Sequence, residues 1–190
     1  MSLAICIAGM PGSGKGVVAE VARSLGLRVV SMGDVIRREA ERRGLPTDDR
    51  ALGQLMIKMR EEMGSAIVAE LCLKELEEGV DVAVFEGVRS LAEVEALKRR
   101  FREVVIVAVH APPHLRFRRL RLRRRGDAPS SREEFMARDE RELKVGLGEV
   151  LALADYVIVN SATLRAARRR AEVILRRILQ RRGGRWGGWR

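Results

Sequence analysis

Four glycines and one lysine fall within the eight residues "GMPGSGKG" at 9–16, between an apolar run and a helical pattern. No other stretch constrains the fold so tightly. Backbone this bare serves φ angles that other residues avoid, or lets a ligand approach the main chain closely. Gly9, Gly14 and Lys15 fit G-x-x-x-x-G-K, in which backbone N–H groups wrap a phosphate chain and the lysine reaches its outer oxygens. Pro11, Gly12, Ser13 and Gly16 complete the cradle, with Val17 behind it. The flanks agree: "LAICIA" reads as a buried strand, and "KGVVAEVARSL" places Val17, Val21 and Leu25 at helical spacing. The phosphates then meet a helix N-terminus, where the dipole favours anions. An ordinary glycine turn with a solvated lysine would need neither flank. The residue after the lysine is normally Ser or Thr, which binds magnesium. Here it is Gly16, so a metal is left to water, nucleotide oxygens and carboxylates elsewhere.

The 190 residues, 46% of them hydrophobic, suffice for one domain with a sizeable core. There is no run of 18 apolar residues and the first strand begins at once, so neither a membrane span nor a signal peptide is expected, and the location reads as cytoplasmic. Cys6 and Cys72 lack metal-ligand spacing and read as small core residues. His110 and His114, without Cys or His partners nearby, read as structural. The net charge of +11 is concentrated: residues 113–132 hold eight arginines and one acid, and residues 161–190 hold ten arginines and one acid.

Strand-like runs recur at 3–8, 27–31, 81–85, 103–109 and 155–159, with helical periodicity in every interval. This alternation predicts an α/β fold, a doubly wound parallel sheet with helices on both faces. Between the second and third strands lies a long helical insertion, about 33–79, broken at Gly44-Leu45-Pro46 with Thr47 or Asp48 as the next helix cap. Met56, Met59 and Met63 read as its core stripe. Ligands of such sheets bind beyond the carboxyl ends of the strands. The second strand is followed by "SMGDVIRR" and the third by "FEGVRS".

Together with the glycine loop, these stretches resemble the adenylate kinase group of P-loop nucleoside monophosphate kinases. Over roughly residues 3–181 the chain looks more closely like small archaeal proteins described as adenylate-kinase-related or dephospho-CoA-kinase-like. The loop matches the kinase pattern through Gly16 and departs from it at Val17. The resemblance implies a five-stranded sheet in the order 2-3-1-4-5, ATP as phosphoryl donor and Mg2+ as cofactor. Ser31, Gly33, Asp34 and Arg37 match one family stretch, which makes Arg37 a grip on the acceptor's phosphate. Glu86, Gly87 and Arg89 match another, with Glu86 on the magnesium side, aided by Asp34 through water, and Arg89 a second clamp.

The arginine-rich stretch resembles the kinase lid, about 123–138, with its flanking helices. Arg119 and Arg123 stand where the family contacts the donor base and phosphates. Arg138 and Arg141 follow on the return helix, both able to face the cleft. Asn160 and Ser161 resemble residues bordering the donor base, and either also suits a helix cap. Catalytic work thus falls to Lys15, Asp34, Arg119, Arg123 and Arg138. Residues 1–182 read as a single P-loop kinase domain and 183–190 as a flexible basic tail. The implied reaction is phosphoryl transfer from ATP to a nucleotide, with AMP favoured. A dephospho-CoA-type kinase using Asp34 as base and a P-loop ATPase touching RNA through Trp186, Trp189 and the arginine-rich C-terminal segment are the alternatives.

Overall fold

Strand β1 (Leu3–Ala8) is buried along its whole length and is the middle strand of a five-stranded sheet. The structure is a computed structural model that describes residues 2–122 and 128–181. With β2 (Arg28–Ser31), β3 (Val82–Glu86), β4 (Glu103–His110) and β5 (Tyr156–Val159), β1 forms a parallel sheet in the order β2-β3-β1-β4-β5. The expected strands and their order match, with ends moved by a residue.

The period of two along each strand sends alternate side chains to opposite layers. Leu3, Ile5 and Ile7 pack with helices α1 (Lys15–Ser24) and α9 (Leu164–Gln180). Ala4, Cys6 and Ala8 face the other layer. That layer is built by α2 (Met32–Arg42), α3 (Asp49–Met63), α4 (Ile67–Lys74), α5 (Leu91–Arg100) and α8 (Leu147–Ala152). Helices α6 (Pro113–Leu122) and α7 (Arg132–Val145) lie beyond the end of β4 and meet through Phe117 and Phe135, their ring centroids 5.4 Å apart. Both cysteines are free and buried. Burial, with lesser contributions from Glu75 and Glu93, pushes the Cys72 thiol up to about 12, so it is inert.

Local chemistry explains most element ends. Asp48 starts α3 by accepting hydrogen bonds from the N–H groups of Arg50 and Ala51 at 2.9 and 3.0 Å. Three expectations need correction. Met56 and Met59 are buried, but Met63 is 54% exposed, because the last turn of α3 runs past the core before Gly64 ends it. Helix α1 buries Val18, Ala19, Val21 and Ala22 and leaves Val17 half-buried, since its axis is set by the loop rather than by the first apolar residue. Helix α9 is capped by Thr163, whose hydroxyl accepts from the Ala166 N–H, and by neither Asn160 nor Ser161.

Candidate functional site

The loop from Gly9 to Gly16 joins β1 to α1. Gly14, its hinge into the helix, has φ 98°, and a Cβ there would lie 2.1 Å from the Asn160 side-chain nitrogen. At Gly9 a Cβ would meet the Val109 carbonyl at 2.5 Å. Side chains take the loop's carbonyl oxygens. Lys15 Nζ donates to the carbonyls of Gly9 and Met10 at 2.6 and 3.3 Å. Arg116 donates to the Pro11 carbonyl at 3.2 Å. Asn160 Nδ2 and Arg119 donate to that of Ser13 at 2.8 and 3.5 Å. The first turn of a helix leaves N–H groups without an acceptor inside the helix, which makes the start of α1 suited to an anion. Ser13 Oγ is buried, with no hydrogen-bond partner among the described residues.

Beside this loop lies a cavity of about 290 Å³. Pro11, Gly12, Gly14, Lys15 and Gly16 form one wall. The carboxyl ends of β2 and β3 supply Ser31, Gly33, Asp34, Arg37, Glu86, Gly87 and Arg89 opposite, in line with the strand-end rule. Helices α3 and α7 close the cavity with Asp49, Gly53, Met56, Arg138, Arg141 and Glu142. The Ser31 hydroxyl caps α2, accepting from the Asp34 N–H at 3.3 Å. Asp34, 51% exposed, holds Arg37 at 2.9 Å one turn on. The carboxylate of Glu86 ends β3.

Arg89 is fixed at both ends. Its N–H donates to Glu93 Oε2 and its Nε to Glu142 Oε2, each at 2.6 Å. Burial alone would lower its guanidinium, yet the carboxylates of Glu142, Glu93 and Glu86 raise it overall. Burial likewise pushes Glu142 up, but the charges of Arg89, Lys15 and Arg138 outweigh it and hold the carboxyl below its ordinary range. The buried Glu93 also caps α5 and pairs with Arg60 of α3, anchoring that helix to the core. Asp49, at the start of α3, gathers Arg138, at 2.8 Å, and Arg141 from α7. The Arg141 guanidinium lies over Gly53, where a Cβ would approach Nε to 2.9 Å.

Most of the expected site residues therefore converge on one cavity. Arg119 and Asn160 do not line it. They reach the loop from behind, where Arg119 donates to the Asn160 carbonyl at 3.0 Å. Gly9, Ser13 and Val17 lie within or behind the loop. Arg123, the first part of the expected lid and the tail 183–190 lie outside the described residues. Sequence reasoning missed Asp49, Glu142, Arg116 and Asp139. The acids sit in "TDDR" and "ARDERE", which read as a cap region and as part of the return helix after the lid, and nothing local marked them out.

Sheet order, glycine loop and strand-end arginines together define a P-loop kinase-like fold. A family model described as an AAA domain matches residues 8–136. Among solved structures, a shikimate kinase from Acinetobacter baumannii in complex with shikimate superposes with a TM-score of 0.59 at 21% identity, covering 96% of each chain. A dephospho-CoA kinase from Campylobacter jejuni gives 0.55 at 18% identity, covering 95% of this chain and 98% of that one. The chain belongs to the UPF0200 family: the UPF0200 protein of Pyrococcus abyssi is 48% identical over 180 residues, 92% of this chain and 96% of that protein.

Proposed function

We propose that the chain transfers the terminal phosphoryl group of ATP to a small nucleotide, with a nucleoside monophosphate such as AMP as the favoured acceptor. One observation carries this reading: the glycine loop with Lys15, and two arginines from separate strand ends, Arg37 and Arg89, line the same cavity. The loop suits a nucleotide's phosphates, since its carbonyls are engaged, its glycines leave no Cβ in the way and the buried Ser13 hydroxyl awaits an acceptor or donor. Mg2+ would neutralise phosphate charge, held by Glu86 and, through water, by Asp34. Among the described residues no three His, Cys, Asp or Glu side chains cluster to hold a metal, which suits an ion that keeps much of its water.

Phosphoryl transfer asks the protein chiefly for positioning and charge neutralisation. Lys15 would meet the donor's outer phosphates, and Arg37 and Arg89 would hold the acceptor's phosphate in line. Gly33 and Gly87 keep the strand ends open to the acceptor. Arg138 and Arg141 would balance charge between the two substrates. Arg119 and Asn160 would support the loop at the donor edge, and Arg123 would reach the donor phosphates. A cytoplasmic location belongs to the same proposal, and no helix among the described residues is long and apolar enough to cross a membrane.

A hydroxyl-bearing acceptor is the second reading, favoured by Asp34, a half-exposed carboxylate that lines the cavity. It would accept the hydroxyl proton as general base, as a dephospho-CoA-type acceptor requires. A coupled assay with ATP and Mg2+ against AMP, CMP, UMP, GMP and dephospho-CoA separates the two. ADP formed from AMP and abolished by Lys15→Ala is the expected result. Turnover of dephospho-CoA alone selects the second reading, and acceptor-free hydrolysis alone overturns both.

A further inference from the structure

Seven of the ten residues at 116–125 are arginine, and nothing in the sequence singles out Arg116 among them. By structure Arg116 differs from its described neighbours: it is 5% exposed. Its Nε donates to the Ala111 carbonyl at 3.2 Å, just beyond β4. Its Nη1 donates to the Pro11 carbonyl, inside the phosphate-binding loop, at 3.2 Å. Nη1 and Nη2 together grip Asp139 of α7 in a two-pronged pair at 2.8 and 2.6 Å. The guanidinium lies 4.9 Å from the Phe135 ring centroid, also on α7. The main chain takes part too, for a Cβ on Gly12 would come within 2.6 Å of the Arg116 carbonyl.

A buried cation, even one with four of its five N–H groups bonded, is costly to assemble, and an apolar side chain of similar volume often stabilises a fold as well or better. What the guanidinium adds is geometry, because its planar fork fixes both the distance and the rotation of what it holds. Here it holds two things. One is a loop carbonyl, turned away from the anion site. The other is Asp139, which faces α6 while its neighbours Arg138, Arg141 and Glu142 line the cavity. Gripping Asp139 therefore sets the rotation of α7 that presents those two arginines.

We propose that Arg116 is a positioning residue for the transfer reaction, joining the phosphate-binding loop to the arginine-bearing helix α7. This rests on the phosphotransferase reading given above. The arginine touches neither substrate. It orders the main chain that meets the donor and the helix that meets the acceptor, so its two arms are separable by substitution.

The test measures affinity of the full chain for the fluorescent analogue mant-ADP without acceptor, steady-state kinetics with AMP, and melting temperature. Arg116→Met removes every bond the guanidinium makes and should weaken mant-ADP binding about tenfold, the scale of losing a charge-assisted contact. Arg116→Lys keeps one donor for Pro11 but no fork. It should restore mant-ADP affinity to within about threefold while the KM for AMP stays raised about tenfold. Asp139→Asn should leave mant-ADP affinity within about twofold and raise the KM for AMP by a similar tenfold factor. The exposed neighbour variant Arg118→Lys should change neither. If the parent binds mant-ADP and Arg116→Met binds it equally well, melting temperature alone having moved, Arg116 is structural and this inference falls by itself. If the parent does not bind mant-ADP at all, the phosphotransferase reading falls and takes this one with it.

Discussion

The two walls of the cavity are built on opposite plans. The wall proposed for the donor is main chain: glycines at 9, 12, 14 and 16 leave its surface bare, and side chains, the loop's own Lys15 among them, hold its carbonyls. The wall proposed for the acceptor is side chain, and each of its arginines has a carboxylate partner. Arg37 has Asp34, Arg89 has Glu142, and Arg138 and Arg141 share Asp49. A main-chain anion site at a helix N-terminus attracts an anion without a charged side chain that needs a counter-ion. A wall of paired arginines is already satisfied, so an arriving phosphate must displace a carboxylate or join it.

The contrast can be broken most sharply at Gly14. Gly14→Ala forces a left-handed backbone on a residue that resists it and drives a methyl group into Asn160. A loss of about a hundredfold in mant-ADP affinity is expected; a loss below about tenfold would show that the donor wall does not depend on bare backbone. Next in size is Asp49→Asn, which removes the charge shared by Arg138 and Arg141. Urea titration should show a loss of about 1 kcal/mol. The KM for AMP should fall several-fold as the two arginines lose their competitor, whereas a rise would mean that Asp49 helps to bind the acceptor.

The pair of Arg89 and Glu142 adds a dependence on pH. Glu142 is held below its ordinary value of 4.5, so it contributes stability that is complete above that value and is lost as pH falls through the lowered one. The melting-temperature gap between the parent and Glu142→Gln should therefore be widest at neutral pH and narrow below 4.5. Smallest of all is Met63→Ala on the acceptor-side helix α3. It should change stability by no more than about 0.5 kcal/mol, since α3 is anchored by Met56, Met59 and Arg60 and not by its last turn.

The same division explains what the sequence made legible. The five strands and the loop were readable because each depends on residues close together in the chain: an apolar run, a helical period, a glycine spacing. The strand order rested on the family resemblance alone. Ser31, Gly33, Asp34 and Arg37 fall on one strand end and one helix turn, so their grouping could be read as well. The other counter-ions were not. Asp49 meets Arg141 across 92 positions, Glu142 meets Arg89 across 53 and Arg116 meets Pro11 across 105. No local pattern records such pairings. Arg116 was hidden for a second reason: within a run of like residues only burial distinguishes the one that works inside the protein.

β1 turns its large residues, Leu3, Ile5 and Ile7, toward α1 and α9, and its small ones, Ala4, Cys6 and Ala8, toward the layer that carries the acceptor-side helices α2 and α3. The central strand is thus a partition as much as a core. Apart from Met10 of the loop, which packs into the layer of α2 and α3, the residues that seat α1 lie on the other side of this strand. On the proposed function, a lineage built on this plan could retailor its acceptor side while keeping the packing behind its donor side.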